Sequence, residues 1–249
     1  MVALRDSDAG HPRAVWPFLN RRNVASILVP MANSLASPQV TDLLSRLFAA
    51  ADQDDDHVPA LPSGLSAWAQ ASASQRADAL QDCYIPISAD AGKLLYNLVR
   101  SARPDTVVEF GTSFGISTIY LAAAVTDNSV GRVLGTELSA RKVDAARANL
   151  AAAGVGAAAT VLAGEALQTL ADVPGPIGLV LLDGWKDLCL PVLRLLEPRL
   201  APGAIVAADD VSHAGLGEYL GYVRDPANGY VSVTFPVADG VEISCWTGC

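Results

Sequence analysis

Four short apolar runs in this chain each end in a carboxylate, at Glu109, Glu137, Asp183 and Asp209, with helical patterns between them. This regularity constrains the fold more than any other feature. Residues 106–110, 132–137, 159–162, 178–182 and 204–208 read as strands, and 90–99, 117–125, 140–153, 188–196 and 212–222 as helices. Gly154 is the expected stop of the helix over 140–153. Repeated strand–helix alternation predicts a parallel sheet with helices on both faces. Residues 230–236 and 241–245, joined by Ala238-Asp239-Gly240, predict a terminal antiparallel hairpin. Ligands of such sheets bind outside the carboxyl ends of the strands, where all four acids fall. Any one of them alone would also fit a helix cap.

Residues 1–80 follow another pattern and are expected to form a helical extension that caps the domain 81–249 or contacts a second subunit. Pro38 opens a helix through Val40, Leu43, Leu44, Leu47 and Phe48, and the acidic run at 52–56 ends it as a solvated loop. A second helix is expected over 66–81.

Apolar residues make up 51% and charged residues 17% of the 249, which rules out wholesale disorder. A net charge of −9 argues against nucleic acid and anionic membranes as partners. The opening residues lack the apolar core of a secretory signal. Cys83, Cys189, Cys245 and Cys249 fit neither a disulfide framework nor a C-x-x-C site. A cytoplasmic protein with reduced thiols is therefore expected.

The first strand leads into Glu109-Phe-Gly111-Thr-Ser113-Phe-Gly115-Ile-Ser117. Two glycines there allow a tight turn and close backbone approach at a helix N-terminus, or simply a packing turn. The spacing is not the G-x-G-x-x-G of dinucleotide enzymes. Glu137, 28 residues after Glu109, is placed to accept both hydroxyls of a ribose. This E-x-G-x-x-x-G loop with a later strand-end acid resembles the class I S-adenosylmethionine (AdoMet)-dependent methyltransferases over residues 84–249. The resemblance implies a Rossmann-like, doubly wound, mostly parallel seven-stranded α/β sheet. It also implies that Glu109, Gly111, Ser113, Gly115 and Ser117 surround the methionine part of AdoMet, that Glu137 holds the ribose, and that Gly164, Glu165 and Ala166 lie near the adenine.

The second half reads Asp183-Gly-Trp185-Lys186-Asp-Leu-Cys189, then a strand ending in Asp209-Asp210. This is similar to the catechol O-methyltransferase family, whose pattern is D-x-x-K followed by a strand ending in D-N or D-D. The resemblance implies a divalent cation on Asp183, Asp209 and Asp210, with Asp183 and Trp185 also near AdoMet. Three carboxylates offer the hard oxygens that suit Mg²⁺. Lys186, one of only three lysines, is then the candidate general base, its own pKa expected to fall beside a metal. A surface pairing of Lys186 with Asp183 or Asp187 is the bland alternative, and Trp185 serves equally as core packing.

Three departures bear on the substrate. Asp210 stands where the family often has Asn, and Cys189 where it often has an aromatic residue. Between Gly229 and Val241 the only acid is Asp239, in the turn, so the glutamate that holds a second substrate hydroxyl in animal enzymes has no counterpart. His213 is placed to reach the site from the following loop. The expectation is an AdoMet- and cation-dependent O-methyltransferase of a catechol-like substrate, with a homodimer the expected assembly. Alternatives are a metal-independent N- or O-methyltransferase and a non-catalytic AdoMet-binding interaction protein.

Overall fold

The computed structural model describes residues 33–54, 61–62 and 67–248. Residues 1–32 and most of the loop over 55–66 lie outside the described residues, as do Asp55, Asp56, Cys249 and the expected start of the second helix at Ser66. Seven strands form one sheet: β1 (Thr106–Phe110), β2 (Arg132–Glu137), β3 (Ala159–Ala163), β4 (Ile177–Leu182), β5 (Leu200–Ala208), β6 (Tyr230–Phe235) and β7 (Val241–Trp246). Their order is β3-β2-β1-β4-β5-β7-β6. The first five are parallel, and β7 runs antiparallel to β5 and β6. The doubly wound sheet and its hairpin are thus as the sequence predicts.

The order reverses at β1, because the chain moves outward to β3 and then crosses back to β4. Crevices open at such a switch point. β1 is buried along its whole length and β4 at all but Gly178, since helices cover both faces, and their sequences are accordingly almost unbroken apolar runs.

On one face lie α1 (Pro38–Asp54), α3 (Ala89–Ala102), α4 (Ile116–Asn128) and α5 (Ala140–Ala152). α4 presents Ile119, Leu121, Ala122, Ala123 and Ala124, all fully buried; its small residues let it sit tight against the sheet. On the other face lie α6 (Ala166–Thr169), α7 (Cys189–Leu196) and α8 (Gly217–Arg224), whose Leu193, Leu196 and Val223 are fully buried. Truncating such a leucine to alanine costs roughly 2–5 kcal/mol.

Two boundaries differ from expectation. β5 begins at Leu200 rather than residue 204, because Pro202-Gly203 forms an irregularity inside the strand, between the pairs Ile177↔Leu200 and Leu179↔Ile205. The second N-terminal helix, α2 (Ala73–Ala79), is shorter than 66–81. Ser72 starts it: its hydroxyl accepts from Gln75 N while its own N–H donates to Gln75 Oε1, a reciprocal cap.

No boundary falls at residue 80. Val40, Leu43, Leu44 and Leu47 of α1 share a core with α4 and α5, and the compact unit begins at Asn33. The i, i+3, i+4, i+7 stripe on α1 is apolar because it is core. Among the described residues no helix is long and apolar enough to cross a membrane.

Candidate active site

A cavity of about 810 Å³ opens over the carboxyl ends of β1, β2, β4 and β5, within the range of small-molecule sites. Of the residues the sequence singles out, Gly111, Ser113, Glu137, Gly164, Glu165, Ala166, Asp183, Trp185, Lys186, Asp210 and His213 line it, and Asp209 does not.

The glycine loop is built for close approach. Gly111 has φ +97°, and a Cβ there would stand 2.6 Å from the Asp183 carbonyl oxygen. Ser113 also takes the left-handed conformation, at φ +46°, and its N–H donates to Glu137 Oε2 at 2.8 Å. Ser139 N donates to Glu137 Oε1 at 2.8 Å. The Glu137 carboxylate is therefore fixed by two backbone donors, and each oxygen keeps acceptor capacity facing the cavity.

Glu109, Gly115 and Ser117 do not line this cavity. Glu109 is fully buried beneath the loop, accepting from Ser117 Oγ (2.6 Å), Thr118 Oγ1 (2.6 Å) and Thr112 Oγ1 (2.8 Å). Burial raises its pKa, against the pull of these three hydroxyls. Its geometry is that of a clamp tying the loop to α4. Gly115 caps α4 at φ +86°.

The acidic cluster assembles at the ends of β4 and β5. One carboxylate oxygen from each of Asp183, Asp209 and Asp210 lies within 4.8 Å of the others. Asp210 has φ +60°, a region that Asp and Asn tolerate better than other side chains. Lys186 Nζ sits among them, 3.1 Å from Asp183 Oδ1, 3.0 Å from Asp210 Oδ2 and 3.4 Å from the Asp209 carbonyl oxygen.

Burial, reinforced by the neighbouring carboxylates, pushes Asp209 up to about 7. Burial likewise pushes Asp183 up to about 6, with Lys186 pulling the other way. Lys186 departs from its expected direction. Burial lowers its pKa, but Asp183 and Asp210 together outweigh burial and hold the ammonium above its ordinary value. The lysine is the counter-charge of the ligand-free cluster. An all-oxygen donor set short of positive charge fits a hard divalent cation.

The second wall comes from α2, which sequence reasoning left without chemistry. Arg76 makes two parallel hydrogen bonds to Asp187, at 2.8 and 2.9 Å, and stacks 4.9 Å over the Trp185 ring. Trp68, Ala73, Ala77 and Leu80 add apolar surface beside it. Lys142, on α5, also lines the cavity and also went unnoticed. His213 Nδ1 accepts from Gly215 N at 3.0 Å, which leaves Nε2 as its remaining polar atom. Cys189 is fully buried and does not line the cavity, so its replacement of an aromatic residue changes the core rather than the site. Asp239 lies in the β6–β7 turn.

A family described as a methyltransferase domain matches residues 108–211, from within β1 to just past Asp210. The chain is 34% identical over 148 residues to a catechol O-methyltransferase of Mycobacterium tuberculosis, covering 59% of this chain and 66% of that protein. It is 30% identical over 173 residues to catechol O-methyltransferase B of Danio rerio, covering 64% of each. The chain thus spans just under two thirds of the length of these relatives. In fold it is similar to the O-methyltransferase from Bacillus cereus in complex with SAH, with a TM-score of 0.60, 19% identity, and coverage of 90% of this chain and 94% of that one.

Proposed function

Because the chain belongs to the class I AdoMet-dependent methyltransferases related to the catechol O-methyltransferases, we propose that it methylates a hydroxyl of a small catechol-like aromatic. The observation that carries this reading is Lys186 Nζ within 3.1 Å of two carboxylates of an acidic triad, in the cavity that Glu137 and the glycine loop also line. AdoMet, when bound, would supply an electrophilic methyl group, with S-adenosylhomocysteine as the leaving group.

In this reading Glu137 accepts from the ribose, Gly111 and Ser113 admit the chain of the cofactor against the backbone, and Gly164, Glu165 and Ala166 border the adenine. Trp185, stacked under Arg76, lines the cavity beside them. Asp183, Asp209 and Asp210 would hold a divalent cation, Mg²⁺ by the hardness of the donors, which supplies Lewis acidity toward vicinal oxygens and neutralises the cluster. Once Asp183 and Asp210 no longer hold it charged, Lys186 Nζ is the group placed to take the proton from the acceptor hydroxyl. The remaining contribution of the chain is orientation and exclusion of water, for which α2 closes one side. The homodimer and the cytoplasmic location expected from the sequence remain part of this proposal.

The test is methyl transfer from AdoMet to a panel of catechols, in EDTA and again with Mg²⁺ restored. Turnover lost in EDTA and regained with Mg²⁺ is expected. Turnover indifferent to EDTA would move the protein to the metal-independent class, and no AdoMet or S-adenosylhomocysteine binding by calorimetry would end the methyltransferase reading.

A further inference from the structure

Lys142 occupies a position that stability alone would not give to a lysine. Its side chain is nearly enclosed, with the residue only 6% exposed. It stands in the first turn of α5, where the helix dipole disfavours a cation. Among the described residues its ammonium makes no hydrogen bond and no ion pair; its recorded contact is the face of the Phe114 ring, 5.5 Å from Nζ. The charged and titratable groups facing it are Glu137, Cys83, Asp54 and Asp82. Two of these are engaged elsewhere: Asp82 pairs with Arg141 at 2.6 Å, and Asp54 accepts from Tyr84 N at 3.0 Å. Burial outweighs all four and holds the lysine below its ordinary pKa.

The Lys142 stem is buried while Nζ reaches the cavity without a protein acceptor, and local rules are broken this way mainly where a ligand completes the arrangement. Lys142 lines the same cavity as Glu137, whose two oxygens are already oriented by Ser113 N and Ser139 N. An anionic group at this spot would meet the Glu137 carboxylate. A neutral vicinal diol meets both needs, because each hydroxyl both donates and accepts.

We propose that Lys142 and Glu137 form a two-sided clamp on the ribose diol of the cofactor, Glu137 accepting from a hydroxyl and Lys142 Nζ donating to a hydroxyl oxygen. This rests on the methyltransferase reading. Lys142 is a binding residue, distinct from the base at Lys186, and it makes the site selective for an intact ribose.

The test is calorimetric titration of wild type and Lys142→Met with S-adenosylhomocysteine and with its 2′-deoxy and 3′-deoxy analogues, plus thermal melts without ligand. The lost charge-assisted hydrogen bond is expected to weaken S-adenosylhomocysteine about 10- to 100-fold in Lys142→Met. Deleting one of the two hydroxyls is expected to cost the wild type a similar factor and the variant little. The ligand-free variant is expected to melt at or above the wild-type temperature. The inference is overturned if the variant binds S-adenosylhomocysteine as tightly as wild type, if parent and both analogues weaken equally, or if the variant is destabilised or fails to fold. Wild type that binds no S-adenosylhomocysteine would instead remove the cofactor reading itself, and this clamp with it.

Discussion

Replacing Lys186 with alanine removes the one cation among three crowded carboxylates, and the structure sets the size of the effect. The ammonium lies 3.1 Å from Asp183 and 3.0 Å from Asp210, and the side chains of Lys186 and Asp183 are 12% and 13% exposed. At an effective dielectric constant near 20, a unit pair about 3 Å apart attracts by roughly 5 kcal/mol before desolvation is counted. Breaking a buried pair by removing one partner costs about 3–5 kcal/mol net. The lower end applies here, because the Asp210 side chain is 39% exposed and solvent screens its share. A loss of about 3 kcal/mol lowers the melting temperature of a domain this size by roughly 6–12 °C.

That loss is expected in EDTA. Saturating Mg²⁺ supplies the missing charge to Asp183, Asp209 and Asp210, so Lys186→Ala should gain far more from Mg²⁺ than wild type does. Differential scanning calorimetry of both proteins, in EDTA and across a Mg²⁺ series, measures this without any turnover. Equal Mg²⁺ gains in the two proteins would refute the reasoning, since the lysine would then not be standing in for a cation. Turnover of the Mg²⁺-loaded variant should fall about 10²- to 10⁴-fold, the usual value of a general base.

Gly111→Ala forces a Cβ against the Asp183 carbonyl at a φ of +97°, where neither neighbour is a movable side chain; a loss of roughly 2–4 kcal/mol is expected by chemical denaturation, together with loss of S-adenosylhomocysteine binding. Arg76→Ala removes the link from α2 to Asp187 and Trp185, and steady-state kinetics should show KM for the acceptor rising about 3- to 10-fold, with S-adenosylhomocysteine affinity within about twofold, as expected for an ion pair and stack worth ~1 kcal/mol each. The Arg224 guanidinium, hydrogen-bonded to both Glu242 oxygens at 2.8 Å, holds that carboxylate below its ordinary pKa, so the pair contributes stability above the unfolded value and loses it as pH falls through the lower folded one. Glu242→Gln should therefore be destabilised near neutral pH by about 1 kcal/mol, the amount reduced by the exposure of Arg224, and urea titrations should find the gap closing below about pH 4.

The fold was legible because the strands and most of the helices announce themselves locally. Apolar runs of five or six residues end in acids, and glycine or serine marks the turns. The site was legible where it sits on strand ends, since a parallel sheet gathers those ends whatever the loops do. Arg76 was not legible, because its role depends on Asp187, 111 positions away. Lys142 looks in sequence like one more solvent-facing residue of a helix, and only the packing of Phe114 above it shows otherwise. The Ser72–Gln75 cap was present as S-x-x-Q and marks where α2 starts. Glu109 shows the limit of inference by resemblance: the residue is where expected, yet its carboxylate spends its bonds on Thr112, Ser117 and Thr118.

The two walls of the cavity differ in how freely they can be rewritten. The strand-end wall is set by a register running through five parallel strands, so a change there propagates across the sheet. The opposite wall hangs on α2, a helix of seven residues whose cavity-facing Ala73 and Ala77 are small. In the proposed methyltransferase reading, residues 67–80 are where one acceptor would be exchanged for another with the strand-end wall unchanged. Libraries confined to that segment are where altered acceptor preference should be sought.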